Sequence, residues 1–271
     1  MPPDTLQIQR ALIAQGYPLP RWGADGAMGQ ETRAAMRAWG KDHGCPATMP
    51  EGELADRIVR AGASLLTLPH CPLVLDVRGW HPGIARKGIN PWPQIDTVCL
   101  HQMACDDGRS DWQRWRDLAI HFAILRHGQA AYLNDCNALV YHGHGWNGRS
   151  VGLEIEGWYA GVEGEPETLW APAGASPARR TSQVLSPLQA EAALQAIRLA
   201  MATVAVHGGK VRYVAAHRQS SKDRVSDPGS QIWQAVALPA MRELGLVTAP
   251  TLRGGRAIPE AWDPAQVGVG Y

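Results

Sequence analysis

The sequence has little net charge, no long apolar run and no closely paired cysteines, and each absence excludes a class of protein. Its 271 residues carry a formal net charge of +1, which gives no electrostatic case for a nucleic-acid or anionic-membrane partner. No apolar run approaches the length of a transmembrane helix. The N-terminus lacks the basic-then-apolar layout of a secretory signal, so we expect synthesis in the cytoplasm and no membrane partner.

Cysteine pairs and phenylalanine are also scarce. The five cysteines include no CxxC motif, and their odd number argues against a disulfide framework and against a thiolate zinc knuckle. We therefore expect reduced, mostly buried thiols. One phenylalanine stands against eleven tryptophans. Core packing explains most of these indoles, and exposed ones would suit stacking on sugar rings.

Composition divides the chain into four parts. Residues 1–62 predict three short helices, the first of them capped by Asp4. A core of that size suits an attached module rather than an enzyme. Residues 63–94 are rich in Pro and Gly and predict a linker that merges into the edge of the next domain. We expect residues 95–245 to form the main domain, and residues 246–271 to be a Pro- and Gly-rich tail.

The main domain predicts an α/β fold, with strands and helices that follow one another. A long helix should begin at Ser186, as N-cap, with Gln189 completing a capping box, and should stop near His207. A closing helix is predicted over Ile232–Leu244. In the strand around Glu154, Gly and Glu alternate with aliphatic residues. This alternation predicts one open, polar sheet face, as a cleft floor requires.

Side chains with metal-binding chemistry follow two predicted strands. His217 follows the apolar run Val211–Ala215, and Asp227 lies further along the same polar loop. Such a pair is more often a hydrogen-bonded surface pair than a metal site, unless a third ligand is present. His101 ends the predicted strand Ile95–His101 and is a candidate for the third ligand.

Two histidines and one carboxylate leave a fourth tetrahedral position open, which a catalytic zinc site requires. Zinc in such a site lowers the pKa of a bound water to roughly 7, so that the water is activated near neutral pH. A neighbouring carboxylate can act as general base, and Glu154 lies on the predicted polar face. Spacing alone does not select these residues from ten histidines.

The helical unit resembles a known wall-binding repeat. Its stretches IQRALIAQGY, DGAMGQET and RAAMRAW are similar to the peptidoglycan-binding repeat found at the ends of cell-wall hydrolases. The match covers most of residues 5–62. It implies a small all-α module that binds peptidoglycan, and a plain three-helix bundle without a ligand is the alternative.

The main domain resembles the zinc-dependent N-acetylmuramoyl-L-alanine amidases, the amidase family of phage endolysins, which shares its fold with peptidoglycan-recognition proteins. The resemblance covers about residues 72–243 and rests on DTVCLHQMA, HFAILRHGQAAYL, YHGHGWNGRSVGLEIEG and AHRQSSKDRVSDPG, in that order. It implies a mixed β-sheet flanked by helices. It also implies that His101, His217 and Asp227 hold Zn²⁺ and that Glu154 is the catalytic carboxylate.

One position departs from the pattern. Several family members carry a lysine two residues before the aspartate ligand, where it can steady the oxyanion, and this chain has Val225 there. Arg224 or Lys222 could take that role from the same loop, or His142 could take it from the Gly-rich loop that begins at Tyr141 and precedes the strand of Glu154. We assign Arg224 and His142 as candidate catalytic residues. His121 is either a satisfied sheet histidine or a substrate contact.

The resemblance implies hydrolysis of the amide between N-acetylmuramic acid and L-alanine of the stem peptide. The simplest setting is a monomeric, bacteriolytic endolysin that reaches the cell wall after release through a holin. Delivery by another export route, for example as an antibacterial effector, is an alternative. A non-catalytic peptidoglycan-recognition protein is a second reading, although such proteins typically lack a complete ligand set. A cytosolic wall-recycling amidase is a third, although a wall-binding module favours action on the intact sacculus.

Overall fold

A computed structural model gives the architecture of the chain. It describes residues 3–15, 17–19, 21–22, 24–63, 69, 71–78, 86–105, 111–162, 165, 168–170 and 182–263. The N-terminal unit contains the three predicted helices, which are α1 (Thr5–Ala14), α2 (Gln30–Asp42) and α3 (Glu51–Ala63).

The cap of α1 is confirmed. The Asp4 carboxylate accepts a hydrogen bond from the Gln7 backbone N–H at 2.7 Å, and the Gln7 side chain accepts from the Asp4 N–H at 3.1 Å. This reciprocal pair satisfies two helix-end donors. The apolar faces of the three helices enclose a small core made of Ile8, Ala11, Leu12, Met36, Trp39, Ala55 and Ile58.

The main domain is built on a seven-stranded mixed sheet in the order β1-β5-β4-β7-β3-β8-β9. Only the β4–β5 pair is antiparallel among these neighbours. The predicted fold class, a mixed sheet flanked by helices beside a three-helix unit, is therefore confirmed. The strands of this sheet are β1 (Val74–Asp76), β3 (Thr97–Gln102), β4 (Phe122–Ile124), β5 (Ala130–Tyr132), β7 (Ser150–Ile155), β8 (Tyr213–Ala216) and β9 (Val247–Thr248). A separate two-stranded sheet pairs β2 (Gly88–Ile89) with β6 (Ala138–Leu139).

The predicted open polar face of β7 is wrong over most of its length. β7 is the central strand, and a Cβ at Gly152 would lie 2.5 Å from His142 Nδ1 and 2.6 Å from Ile120 Cδ1. These side chains cover the strand, so glycine is needed there for close packing. Glu154 alone of the β7 residues is only partly buried.

The long helix α5 (Pro187–Val206) begins and ends as predicted. The Ser186 hydroxyl accepts from the Gln189 N–H at 3.1 Å. The predicted second half of the capping box is wrong, because the Gln189 amide donates to the Glu156 carbonyl at 2.9 Å instead. α5 thereby locks the end of β7.

The closing helix runs over α6 (Ser230–Ile232), a π-helical turn (Trp233–Ala237) and α7 (Leu238–Leu244). Pro239 has no N–H to donate to the preceding turn, which accounts for the irregular hydrogen bonding before it. The predicted helix over 232–244 is thus confirmed, with a local distortion.

The segment predicted as a tail packs on the main domain instead. β9 pairs in parallel with β8, and Trp262 is fully buried with its ring centroid 5.9 Å from that of Trp233. The composition, rich in Pro and Gly, gives no sign of this packing, because the packing depends on one strand pair and one buried indole. Residues 264–271 of the predicted tail lie outside the described residues.

The cysteines were expected to be reduced thiols. All five are free, with Cys99 and Cys136 buried and the other three half-buried. Within the ranges given above, no helix combines the length and apolar character needed to cross a membrane.

Candidate metal centre and catalytic cleft

The sheet itself brings the candidate residues together. β7, β3 and β8 are neighbouring parallel strands, so their carboxyl ends meet at one edge, where ligand crevices commonly form. His101 on β3 lies directly opposite Glu154 on β7. His217 comes one residue after Ala216, which pairs with Leu100 of β3.

Asp227 returns to this edge on the loop that follows His217. Its backbone carbonyl accepts from the Arg218 N–H at 3.0 Å, and its Oδ1 accepts from the Gln102 N–H at 3.1 Å. Its Oδ2 lies 2.9 Å from His217 Nδ1. The carboxylate is therefore held at its backbone and at one oxygen, with the other oxygen directed at the histidines.

Three donor atoms converge at this point. His101 Nδ1 and His217 Nδ1 are 2.9 Å apart, and donor atoms of His101, His217 and Asp227 lie within 4.8 Å of one another. Two imidazole nitrogens and a carboxylate oxygen form a donor set that suits a catalytic zinc ion. Glu154 Oε2 is buried beside them and has no hydrogen-bond partner among the described residues. An orphaned carboxylate oxygen next to three convergent donors fits a site that receives a cation and a reacting group.

Burial sets the protonation of two of these groups. It lowers the pKa of His101 well below the ordinary value, and the neighbouring imidazoles of His217 and His142 lower it further. His101 is thus neutral, which is the form that binds a metal. Burial also raises the pKa of Glu154 well above its ordinary value, with Asp227 adding to the effect and Arg224 opposing it.

A second donor group shares His101. Cys99, His101 and His142 also lie close enough to hold a metal ion. Burial, followed by the charges of Asp227 and Glu154, raises the pKa of the Cys99 thiol well above its ordinary value. A neutral thiol is a poor ligand, so this group is the weaker candidate.

The hydrogen bonds of His142 fix its direction. Ser150 Oγ donates to the Trp146 carbonyl at 2.8 Å and therefore accepts from His142 Nε2–H at 3.2 Å. His142 Nδ1 then accepts from His101 Nε2–H at 3.0 Å. That chain of donors leaves the lone pair of His101 on Nδ1, which faces His217 and Asp227.

His217 has a comparable outer neighbour. His144 Nδ1 lies 2.9 Å from His217 Nε2. His144 has a φ of 52°, in the left-handed region that a non-glycine residue rarely adopts. The histidines of the Gly-rich loop therefore support both candidate ligands from outside.

The structure separates the other predicted residues by position. Arg224 is exposed at the mouth of the cleft, and in the part of the chain described its guanidinium has no hydrogen-bond or ion-pair partner. Lys222 and Val225 are also exposed. His121 is fully buried; its Nε2 donates to the Ala138 carbonyl at 3.0 Å and its Nδ1 accepts from the Gly152 N–H at 2.9 Å. His121 is thus a satisfied sheet histidine rather than a substrate contact.

A cleft of about 290 Å³ opens beside the cluster. Its apolar wall includes Met103, Leu118 and Ile120. Two large aromatic side chains at its rim, Tyr141 and Trp170, are 62% and 49% exposed. Sequence reasoning did not single out either one; the abundance of tryptophan was a signal for Trp170, and Tyr141 had none.

A model of the N-acetylmuramoyl-L-alanine amidases matches residues 91–230, slightly more than half of the chain. The chain therefore belongs to the N-acetylmuramoyl-L-alanine amidase family. The matched range contains His101, Glu154, His217 and Asp227. A comparison with curated proteins found no match.

Several solved structures are similar to the chain. An endolysin N-acetylmuramoyl-L-alanine amidase, LysCS from Clostridium intestinale, is 16% identical, with a TM-score of 0.41, over 65% of this chain and 98% of its own. The bumblebee peptidoglycan-recognition protein PGRP-SA is 16% identical, with a TM-score of 0.43, over the same shares of the two chains. Drosophila PGRP-LB is 15% identical, with a TM-score of 0.40, over 62% of this chain and 92% of its own.

Proposed function

We propose that the protein is a zinc-dependent peptidoglycan hydrolase that cleaves the amide between N-acetylmuramic acid and L-alanine of the stem peptide. One observation carries the proposal. The donor atoms of His101, His217 and Asp227 converge beside the orphaned Glu154 oxygen at the carboxyl ends of parallel strands. Membership of the amidase family supports the bond and the substrate class.

The three donors would hold zinc, and the buried carboxylate would move protons. Zinc, when bound there, supplies a Lewis acid that activates water and polarises the amide carbonyl. Glu154 Oε2 makes no other hydrogen bond among the described residues, so it is available to accept a proton and pass it to the leaving nitrogen. The raised pKa of Glu154 suits the second half of that transfer.

Arg224 is the proposed oxyanion partner. Its positive charge lowers the pKa of both Glu154 and His101, which supports a place close to the cluster. Its guanidinium is free of other described partners and stands at the cleft mouth. A cation in that position can stabilise the negative charge that develops on the carbonyl oxygen. It would take the place of the lysine that the family often has at Val225.

The role of His142 follows from its hydrogen bonds. Both of its ring nitrogens are engaged, with His101 and with Ser150, so a direct contact with substrate would break one of those bonds. The geometry supports His142 as a positioning residue that orients His101.

The remaining parts fit a wall-degrading enzyme. Residues 1–62 would bind peptidoglycan, and residues 95–245 would carry the chemistry. The exposed rings of Tyr141 and Trp170 would stack on sugars beside the scissile bond. The biological setting we propose is a monomeric endolysin released to the wall.

Product analysis tests the proposal. Purified peptidoglycan is digested with the protein, with the protein plus chelator, and with the chelated protein after zinc is restored. We expect new L-alanine amino termini in the first and third digests and no new reducing sugar ends in any. Reducing ends that persist with chelator would instead identify a glycosidase. Binding to peptidoglycan without new amino termini would identify a recognition protein.

A further inference from the structure

The segment 249–262, here called the strap, crosses the loop that carries two candidate metal ligands. That loop, residues 217–227, is here called the ligand loop. The family match ends at residue 230, so the strap lies outside it. We propose that the strap is a positioning element that holds the ligand loop in the geometry in which His217 and Asp227 share one ion. The inference rests on the zinc site proposed above.

Four hydrogen bonds join the strap to the ligand loop. Two run between backbones, from Leu252 N–H to the Gln219 carbonyl and from Arg256 N–H to the Arg218 carbonyl, both at 2.8 Å. The other two come from side chains. Gln219 Nε2 donates to the Ala249 carbonyl at 2.6 Å, and Arg256 Nε donates to the Lys222 carbonyl at 2.6 Å. The strap therefore bonds to the ligand loop at Arg218, Gln219 and Lys222.

Arg218 passes this restraint to both ligands. It follows His217 directly in the chain, and its N–H donates to the Asp227 carbonyl at 3.0 Å. Its guanidinium donates to the Val225 carbonyl at 2.5 Å and lies 5.0 Å from the ring centroid of Trp262. Trp262 is fully buried and belongs to the main core. The strap therefore anchors Arg218, whose backbone and side chain both bond across the loop.

The strap also contacts the loop that carries the outer histidines. Leu252 packs against a small buried cluster that includes Cys99 and Trp146. A Cβ at Gly145, between His144 and Trp146, would lie 2.7 Å from Leu252 Cδ1. One segment thus braces the supports of both candidate histidine ligands.

Gly255 allows the close approach. A Cβ at this position would overlap the backbone carbonyl of Gln219, and backbone cannot move aside as a flexible side chain can. The residue has no positive φ, so alanine is excluded here by contact alone. Gly255→Ala therefore separates the strap from the ligand loop without altering a ligand.

Two matched pairs of variants test the strap. Gly255→Ala is paired with Gly148→Ala, because a Cβ at Gly148 would have nothing within 4 Å. Arg256→Ala is paired with Arg253→Ala, because both arginines are exposed and Arg253 has no hydrogen-bond or ion-pair partner among the described residues. Each protein is measured by amide hydrogen exchange without metal and by zinc affinity in competition with a chelator.

We expect Gly255→Ala and Arg256→Ala to speed amide exchange at Arg218 and Asp227 and to weaken zinc binding about tenfold. The two control variants should match the wild type. Unchanged exchange and unchanged affinity in both test variants would overturn the proposal. If Gly255→Ala fails to fold, the arginine pair decides. If the wild type binds no zinc, the proposed function fails, while the exchange data still report on the strap.

Discussion

The two ring nitrogens of His101 face two different surroundings, and both could be taken for a metal site. Nδ1 faces His217 and Asp227, while Nε2 faces His142, with Cys99 nearby. The first side offers a carboxylate and borders the cleft. The second side offers neutral groups, since burial keeps the Cys99 thiol protonated. Proximity of donors is therefore not sufficient to define a metal site.

Charge decides between the two sides. A divalent cation in a buried site is costly unless negative charge compensates it. Asp227 supplies a carboxylate on the Nδ1 side, and the carboxyl group of Glu154 lies beside it. The Nε2 side instead ends in the Ser150 hydroxyl and the Trp146 carbonyl, which fix the orientation of the rings. The Nδ1 side therefore offers the charge that an ion requires, and the Nε2 side offers the hydrogen bonds that orient the histidine.

The largest effect is expected for His217→Ala, which removes a ligand from the Nδ1 side. Amidase activity should fall about 10⁴-fold, because several kcal/mol of Lewis-acid stabilisation are lost. Zinc bound per protein, measured by atomic absorption after dialysis, should fall with it. Full zinc content in this variant would move the site to the Nε2 side.

Glu154→Gln should leave the ion in place and remove the proton acceptor. We expect kcat to fall about 10³-fold, since general acid–base catalysis is worth about 10²- to 10⁴-fold. Zinc affinity should stay within about twofold of the wild type, because Glu154 is not one of the three donors. A loss of zinc together with activity would show that Glu154 is a ligand.

The pH dependence of the free energy of unfolding should test whether water is excluded from the Nε2 side of His101. Burial lowers the pKa of His121, which neighbours His142, to about 4. An unfolded chain binds that proton below about pH 6.5, so His121 contributes stability that is complete above pH 6.5 and is lost as the pH falls towards 4. Between pH 7 and 4.5 the loss is about 2 kcal/mol. Urea unfolding should therefore show a smaller pH dependence for His121→Gln, and equal slopes would place His121 in contact with water.

His142→Ala should weaken the ion indirectly. Loss of an outer hydrogen-bond partner costs about 10- to 100-fold in metal affinity, and we expect the lower end because Ser150 remains. KM should not change if His142 only orients His101. A raised KM at saturating zinc would instead support the predicted contact between His142 and substrate.

The smallest effect is expected for Cys99→Ala. A protonated, fully buried thiol contributes packing but no metal bond, so zinc affinity should stay within about twofold of the wild type. The free energy of unfolding should fall by about 1 kcal/mol from lost packing. A tenfold loss of zinc affinity in chelator competition would favour the second donor group.

Two of the candidate ligands, His101 and His217, could be predicted from the sequence because they lie at strand ends. His101 and His217 each follow an apolar run, and parallel strands align such ends. The direction of the His142 hydrogen bonds could not be predicted, because it depends on Ser150 and His101, from two different strands, both meeting His142 in space. The covered face of β7 was missed for the same reason, since Ile120 and His142 reach Gly152 from other segments.

The strap was missed for a different reason. Residues 246–271 have the composition of a tail, and local propensity cannot predict that a single tryptophan packs against residues distant in the sequence. Trp262 buries its ring against Trp233 and donates its N–H to the Gly161 carbonyl. Long-range contacts of this kind leave no periodic signal in the sequence.

The direct pairing of His101 with Glu154 across β3 and β7 has a consequence for how such an enzyme can diversify. Neighbouring strands lie about 4.8 Å apart because main-chain hydrogen bonds fix that spacing. The separation of the candidate ligand and the proposed proton acceptor is thus set by the backbone ladder and not by any loop. Insertions or deletions in the loops around the cleft can therefore change which substrates the protein accepts without changing the distance between His101 and Glu154.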